Sequence, residues 1–136
     1  MAETLRLEII TPRATVFSED VEMVTLPVVE GQIGVYPQHL RLITQVVPGE
    51  LIVTQGKEER FLAVGEGLVH ITGEKVSILT DMAIPAEKID EAKVEEARER
   101  AAARLREKIS DEEVASVNAS LARSLAQLQV KRRRRM

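Results

Sequence analysis

Cysteine and tryptophan are both missing from this 136-residue chain. Without cysteine there is no disulfide framework, no thiol nucleophile and no thiolate zinc site, and a reducing compartment is compatible. Aromatic side chains are nearly as scarce, with Phe17, Tyr36 and Phe61 the whole set. None lies near the basic C-terminus, so the stacking platforms that hold single-stranded nucleic acid are lacking there. Two histidines, His39 and His70, are the only groups that titrate near neutral pH. Neither is surrounded by a nucleophile or acid in a catalytic pattern: His39 reads as a loop hydrogen-bonder and His70 as a half-exposed strand residue. They are too far apart for a His-x-x-His pair, so no metal site is expected. No stretch approaches the roughly 18 apolar residues that span a bilayer. The start, Met1-Ala2-Glu3-Thr4, lacks a basic segment followed by an apolar run. Membrane contact is therefore expected only through a partner.

A further absence divides the chain. All 7 glycines and all 5 prolines lie at or before Pro85. Both residues punctuate turns and are expelled from helix interiors, so a turn-rich β part over 1–86 is expected to give way to uninterrupted helix over 87–136. Charge changes at the same place, from 6 basic against 12 acidic residues in the first part to 13 against 10 in the second. Glu113 is the last acid; Arg123 and then Lys131, Arg132, Arg133, Arg134 and Arg135 follow. That end wants an anionic neighbour.

In the first part Leu5, Leu7 and Ile9 alternate with Arg6 and Glu8, the period of a strand with one buried face. Val21–Leu26, Leu51–Thr54, Arg60–Val64, Leu68–Thr72 and Lys75–Leu79 are further runs of strand type. Gln55-Gly56-Lys57 and Thr72-Gly73-Glu74 read as hairpin tips at which glycine takes a positive φ. Many short strands point to an antiparallel sandwich or barrel. The segment Leu26–Leu40 holds two prolines and two glycines and reads as a shaped connection, either a corner between sheets or a binding surface.

In the second part Asp90 is placed as a helix N-cap, with Ile89 and Val94 as a hydrophobic staple. Ser110 and Glu113 repeat the device as a capping box, with Ile109 and Val114 as its staple and a tight turn at Lys108–Ser110. Two helices of about 30 Å each, at about 1.5 Å per residue, would form an antiparallel hairpin. Their facing stripes are Val94, Ala97, Ala101, Leu105 and Ile109 on one, and Val114, Val117, Leu121, Leu125 and Leu128 on the other. The first stripe is mostly alanine and buries little apolar area at about 25 cal/mol per Å², so the hairpin is weakly held and could open. A static appendage is the plainer alternative.

Catalytic motifs fail on context. Gly65-Glu66-Gly67 lacks the third glycine of a dinucleotide fingerprint and runs into a strand. Gly56-Lys57 is followed by Glu58 where a phosphate loop needs Ser or Thr. No enzyme constellation is present, and an acidic protein surface suits the basic end better than nucleic acid does. A freestanding module holding nucleic acid through its basic tail is the competing reading, separable by salt-dependent retention.

Three segments carry a resemblance over nearly the whole chain: Leu26–Leu42; Gly65–Ile71 with Val76–Asp81; and Ala122–Leu128. Together they resemble the epsilon subunit of F-type ATP synthases. The strongest element, Gly31-Gln32-Ile33-Gly34-Val35-Tyr36-Pro37-Gln38-His39, is similar to the family's Gly-x-x-Gly-x-x-Pro-x-His loop. The resemblance implies a non-catalytic rotor subunit: a ten-stranded β-sandwich docked on the gamma shaft and the membrane rotor ring, coupling proton flow to rotation. Such a subunit would sit peripherally at the cytoplasmic face of a bacterial inner membrane. Gly31, Gln32, Gly34 and His39 would face the ring, with Gln32 standing where some members carry an acid. The hairpin would fold on the sandwich or extend into the catalytic head and block ATP hydrolysis. Arg123 and Lys131–Arg135 would then meet the catalytic beta and alpha subunits, with Arg98, Arg100, Arg104 and Arg106 as a secondary set. No cofactor is required. ATP as a regulatory ligand would use Asp90, Lys93, Arg100 and Arg123, although Lys93 and Gln127 stand where the family's ATP-binding members carry arginine.

Overall fold

The computed structural model describes residues 3–39 and 41–134. Ten strands come first: β1 (Leu5–Ile10), β2 (Thr15–Val21), β3 (Met23–Val28), β4 (Gly31–Val35), β5 (Leu42–Val46), β6 (Gly49–Gln55), β7 (Glu58–Val64), β8 (Gly67–Ile71), β9 (Lys75–Thr80) and β10 (Ala83–Pro85). A single 3-10 turn at Ala86–Lys88 leads to α1 (Glu91–Leu105) and α2 (Asp111–Arg134). This is the sandwich followed by a helical hairpin.

The strands hydrogen-bond in the order β10-β7-β6-β3-β5-β8-β9-β1-β2, with β4 paired to β3. The sheet bends over where β3 meets β5 through one register pair, Val28 opposite Val46. Two layers result. Leu7, Ile9, Val24, Leu26, Leu51, Val53, Val69, Ile71 and Ile78 all point between them and are fully buried. The open side is fastened by polar groups: Gln55 donates to the Asp20 carbonyl at 3.1 Å, and the Gly56 amide donates to Glu22 at 3.0 Å. Arg60 bonds Glu19 at 3.1 Å while stacking on the Phe17 ring. The amide of Gln55, ahead of Arg60, holds the Glu19 carboxyl below its ordinary range.

The structure departs from the sequence expectation in several places. The sandwich is not wholly antiparallel, because β1 runs parallel to β9; seven intervening strands supply the long connection that a parallel pair needs. β2 went unread because Ser18-Glu19-Asp20 interrupts its apolar pattern, and the run Val21–Leu26 splits into the end of β2 and the start of β3. Much of the shaped connection is β4, which tolerates two glycines because it pairs only with β3. Gly56 takes φ +62 at its hairpin tip, whereas Gly73 has no positive φ. Thr72 builds that turn instead, its backbone amide and its hydroxyl both donating to the Lys75 carbonyl.

Gly67 has a different reason to be glycine. It lies opposite Val46 and Thr80, and a Cβ there would fall 1.8 Å from the Leu79 carbonyl oxygen.

The helices are unequal: α1 has 15 residues and α2 has 24, about 22 and 36 Å at about 1.5 Å per residue. Asp90 caps α1 by accepting from the Lys93 amide at 3.2 Å, and Ser110 accepts from the Glu113 amide at 3.2 Å. Ile89 and Val94 are both buried, as a staple requires. The α2 stripe differs from expectation. Leu125 is 46% exposed, while Ser124, Ala126, Leu128 and Val130 are buried. The second half of α2 lies against β6 and β7 as well as α1, so two faces are covered and a single stripe does not describe it.

Candidate functional site

The outer face of β6 and β7 is the floor on which the helical arm rests. Alternation sends Leu51, Val53, Leu62 and Val64 inward to the sandwich core, leaving Phe61 and Ala63 on the outer side. There Phe61 and Ala63 join Met82, Ile84, Ala86, Ile89 and Val94 in a second apolar cluster, closed from above by Leu128 and Val130. The arm is thus held by its C-terminal half and by the start of α1.

The basic residues at this end already have partners within the chain, carboxylates for three arginines and a backbone carbonyl for Lys131. Arg123 bonds Asp81 at 3.1 Å, and Lys131 Nζ donates to the Ala86 carbonyl at 3.2 Å. Arg132 spans Glu91 and Glu95, each at 2.8 Å. Arg133 bonds Glu50 at 2.9 Å. Hydrogen bonds from Arg98 first, and then Arg132, keep the Glu95 carboxyl below its ordinary range. The bonds from Glu91 and Glu95 raise the Arg132 guanidinium. Arg134 closes α2, and Arg135 lies outside the described residues, as does Leu40 of the shaped connection.

The secondary basic set sits along the hairpin. Arg98 pairs with Glu95, Arg100 with Glu96 at 3.9 Å, and Arg104 with Glu107 and Glu113 across the interhelical turn. Glu113 ahead of Glu107 raises the Arg104 guanidinium. Arg98 and Arg106 flank an open groove of about 550 Å³ floored by Ala102, Leu121 and Leu125. Of the residues assigned to a nucleotide, Asp90 is engaged as the cap, Arg123 is on Asp81, and Lys93 and Arg100 lie on the exposed side of α1. Gln127 donates to the Met82 sulfur at 3.2 Å.

Gly31, Gln32, Gly34 and His39 do not form one cluster. Gly31 opens β4 opposite Val28, has φ +127, and is exposed together with Gln32 and Gly34. His39 lies past the far end of β4, half-buried, its amide donating to the Tyr36 carbonyl at 3.2 Å. There Gln38, at φ +67, donates to Gly73 in the β8–β9 turn. About 16 Å of strand separates the two ends. His70 is an exposed strand residue paired in register with Ile43. Among the described residues no cluster of His, Asp and Glu could hold a metal ion, and no helix is long and apolar enough to cross a membrane.

Among the described residues, no helix packs on the second layer as α2 does on β6 and β7. On the outside of β5, β8 and β9, Ile43 is 66% exposed and Leu68 and Leu79 are each 53% exposed. Leu68 stands directly opposite Leu79 in register. Sequence reasoning did not single these residues out, since an outward leucine in a strand looks like any other apolar position.

Both parts of the chain match known proteins. The family model described as "ATP synthase, Delta/Epsilon chain, beta-sandwich domain" covers residues 4–86, and the corresponding "long alpha-helix domain" covers 87–132. The ATP synthase epsilon chain of Herpetosiphon aurantiacus is 37% identical over 131 residues, 96% of either chain. That of Halorhodospira halophila is 39% identical over 127 residues, 92% of this chain and 90% of the relative. A chain in the cryo-EM structure of the Euglena gracilis mitochondrial ATP synthase, OSCP/F1/c-ring, superposes with a TM-score of 0.76 at 25% identity. The match covers 93% of this chain and 79% of that one. Central-stalk and ring coordinates from the Tetrahymena thermophila enzyme share the fold at a TM-score of 0.63 and 11% identity. Matched over residues 4–132, from its first strand into the last turn of its second helix, the chain belongs to the epsilon chains of ATP synthase.

Proposed function

We propose that the chain is a non-catalytic rotor subunit of a proton-translocating F-type ATP synthase, its 1–86 part docking on gamma and the rotor ring and its 87–136 part regulating hydrolysis. The carrying observation is the asymmetry of the sandwich: one outer face is bare and apolar at Ile43, Leu68 and Leu79, and the other lies under a basic arm. Exposed apolar patches on a folded body mark protein interfaces, and here the occupant is gamma. The exposed Gly31-Gln32 corner offers backbone and a neutral amide to the ring. The subunit sits peripherally on the cytoplasmic face of a bacterial inner membrane, held through these partners.

The arm inhibits hydrolysis when it leaves the sandwich and lies along gamma toward the catalytic beta and alpha subunits. Arg123, Arg132 and Arg133, engaged on the chain's own acids at rest, and Lys131, engaged on the Ala86 carbonyl, then meet acids of those subunits. The pairs made by Arg123 and Arg132 are surface ion pairs worth about 0–1 kcal/mol each, so exchanging them for others carries little penalty. ATP is a weak regulatory ligand of the folded arm. Truncation after Val130 removes four consecutive arginines and Lys131. Assembled with the truncated chain, the synthase should lose its latent inhibition, read as a rise in ATP hydrolysis; an unchanged rate would rule the regulatory role out.

A further inference from the structure

Histidine is the side chain that titrates near neutral pH, and His70 has no part in the contacts described so far. Its place on β8 gives it one. That strand sends Val69 and Ile71 into the core and Leu68 and His70 outward, so the imidazole shares the bare face with Ile43, Leu68 and Leu79. Strand register lays this face out in rows. Leu68, Leu79 and Ile10 make an apolar row; Ile43, His70, Ser77 and Glu8 make the next; Lys75 and Arg6 make the third. His70 therefore stands at the boundary between an apolar strip and a charged one.

The charges of that second strip are paired with each other. Glu8, in the row of His70, holds Lys75 at 2.8 Å, and Asp20 on β2 holds Arg6 at 3.4 Å. On the other side β5 carries no ionisable residue at all. Arg41 and Glu74 stand further out, around the turn at Thr72 and Gly73. Under a partner, an imidazolium at His70 would give up its water against Ile43 and Leu68 while the carboxylate of its own row stays committed to Lys75. The partner's charge works in the same direction. Residues 1–86 hold 12 acidic against 6 basic side chains, so a surface of complementary potential brings cations to this part of the chain.

We propose that the bare face fits gamma only with His70 neutral, so that docking is linked to loss of a proton from the imidazole. The proposal rests on gamma as the occupant of this face. It fixes the chemistry of the gamma segment: apolar side chains over Leu68 and Leu79, and an uncharged hydrogen-bonding group, with no carboxylate, over His70. Where the imidazole is already neutral, docking has its full strength. As pH falls through the titration of His70, each docking event must first remove a proton, and affinity drops.

Titration calorimetry of the full-length chain with gamma reads this in two ways. Affinity should fall about fivefold or more between about pH 7.5 and 5.5. Heats measured in buffers of different ionisation enthalpy should show a proton released on binding at about pH 6. His70→Gln keeps a hydrogen-bonding side chain without the charge and should abolish both effects; the position is exposed, so the variant folds. A flat profile for the parent would overturn the proton link, as would parallel profiles for parent and variant. An affinity that rises with acid would also overturn it, by showing that gamma sets a carboxylate over His70. The docking reading fails by a different result: if gamma stays bound when Leu68→Glu is combined with Leu79→Glu, the face has another occupant and the proposal falls with it.

Discussion

Lys93 decides what a phosphate group would meet on α1. It is exposed, one turn into the helix capped by Asp90, and Arg100 lies on the same side two turns later. A lysine supplies one point charge where an arginine would supply a planar fork able to take two phosphate oxygens. Arg123 would have to leave Asp81 to join them, and Gln127 is bound to Met82. Calorimetry on the isolated chain should therefore give weak heat at millimolar ATP, and Lys93→Arg should tighten binding about tenfold; no heat from either protein would remove ATP as a ligand. At this scale the caps were legible in the sequence, because an N-cap is a local device written in neighbouring residues: Asp90 and Ser110 do what their spacing implies. Glu50 was not. An acid inside a strand looks solvated until the element that covers it is known, and that element is 83 residues away.

Elements are legible where a clean period or a β-branched run bounded by turn residues marks them. β1 alternates openly, and β6, β7, β8 and β9 show as β-branched runs bounded by turn signals; β2 and β4 are hidden by a polar triplet and by two glycines. The bends on which those strands depend are long-range facts, such as the single Val28–Val46 pairing that turns the sheet over. Gly67 shows how one position can serve an element without any local signal. Its partner is the backbone of β9, and with Cβ only 1.8 Å from a carbonyl oxygen the strands would have to part. Gly67→Ala should lower the denaturation midpoint of the sandwich, at a loss of about 3 kcal/mol, the upper end for overpacking. If the midpoint held, β8 and β9 would not be as close as they stand here.

For the whole molecule, the contrast between the two outer faces is the property on which the proposed rotor role rests. One layer is covered on both sides, by the core and by α2; the other is covered on one side alone. The helix amphipathicity that betrays a buried surface has no counterpart on the bare face, where Ile43, Leu68 and Leu79 alternate with inward Val69 and Ile78. Both faces of those strands are apolar in part, as in a strand buried twice over, and on the proposed reading gamma completes the burial. A charge at the centre of that patch should therefore act on assembly and spare the fold. Leu68→Glu with Leu79→Glu should lower the stability of the isolated chain by about 1–2 kcal/mol in all, from two surface substitutions and the like charges set directly opposite each other. Co-purification with gamma should fall about tenfold or more, since a central apolar contact is replaced by two like charges facing each other across the strands. If gamma is retained at one-to-one ratio by the doubly charged variant, docking takes place on another surface and the bare face needs a different occupant.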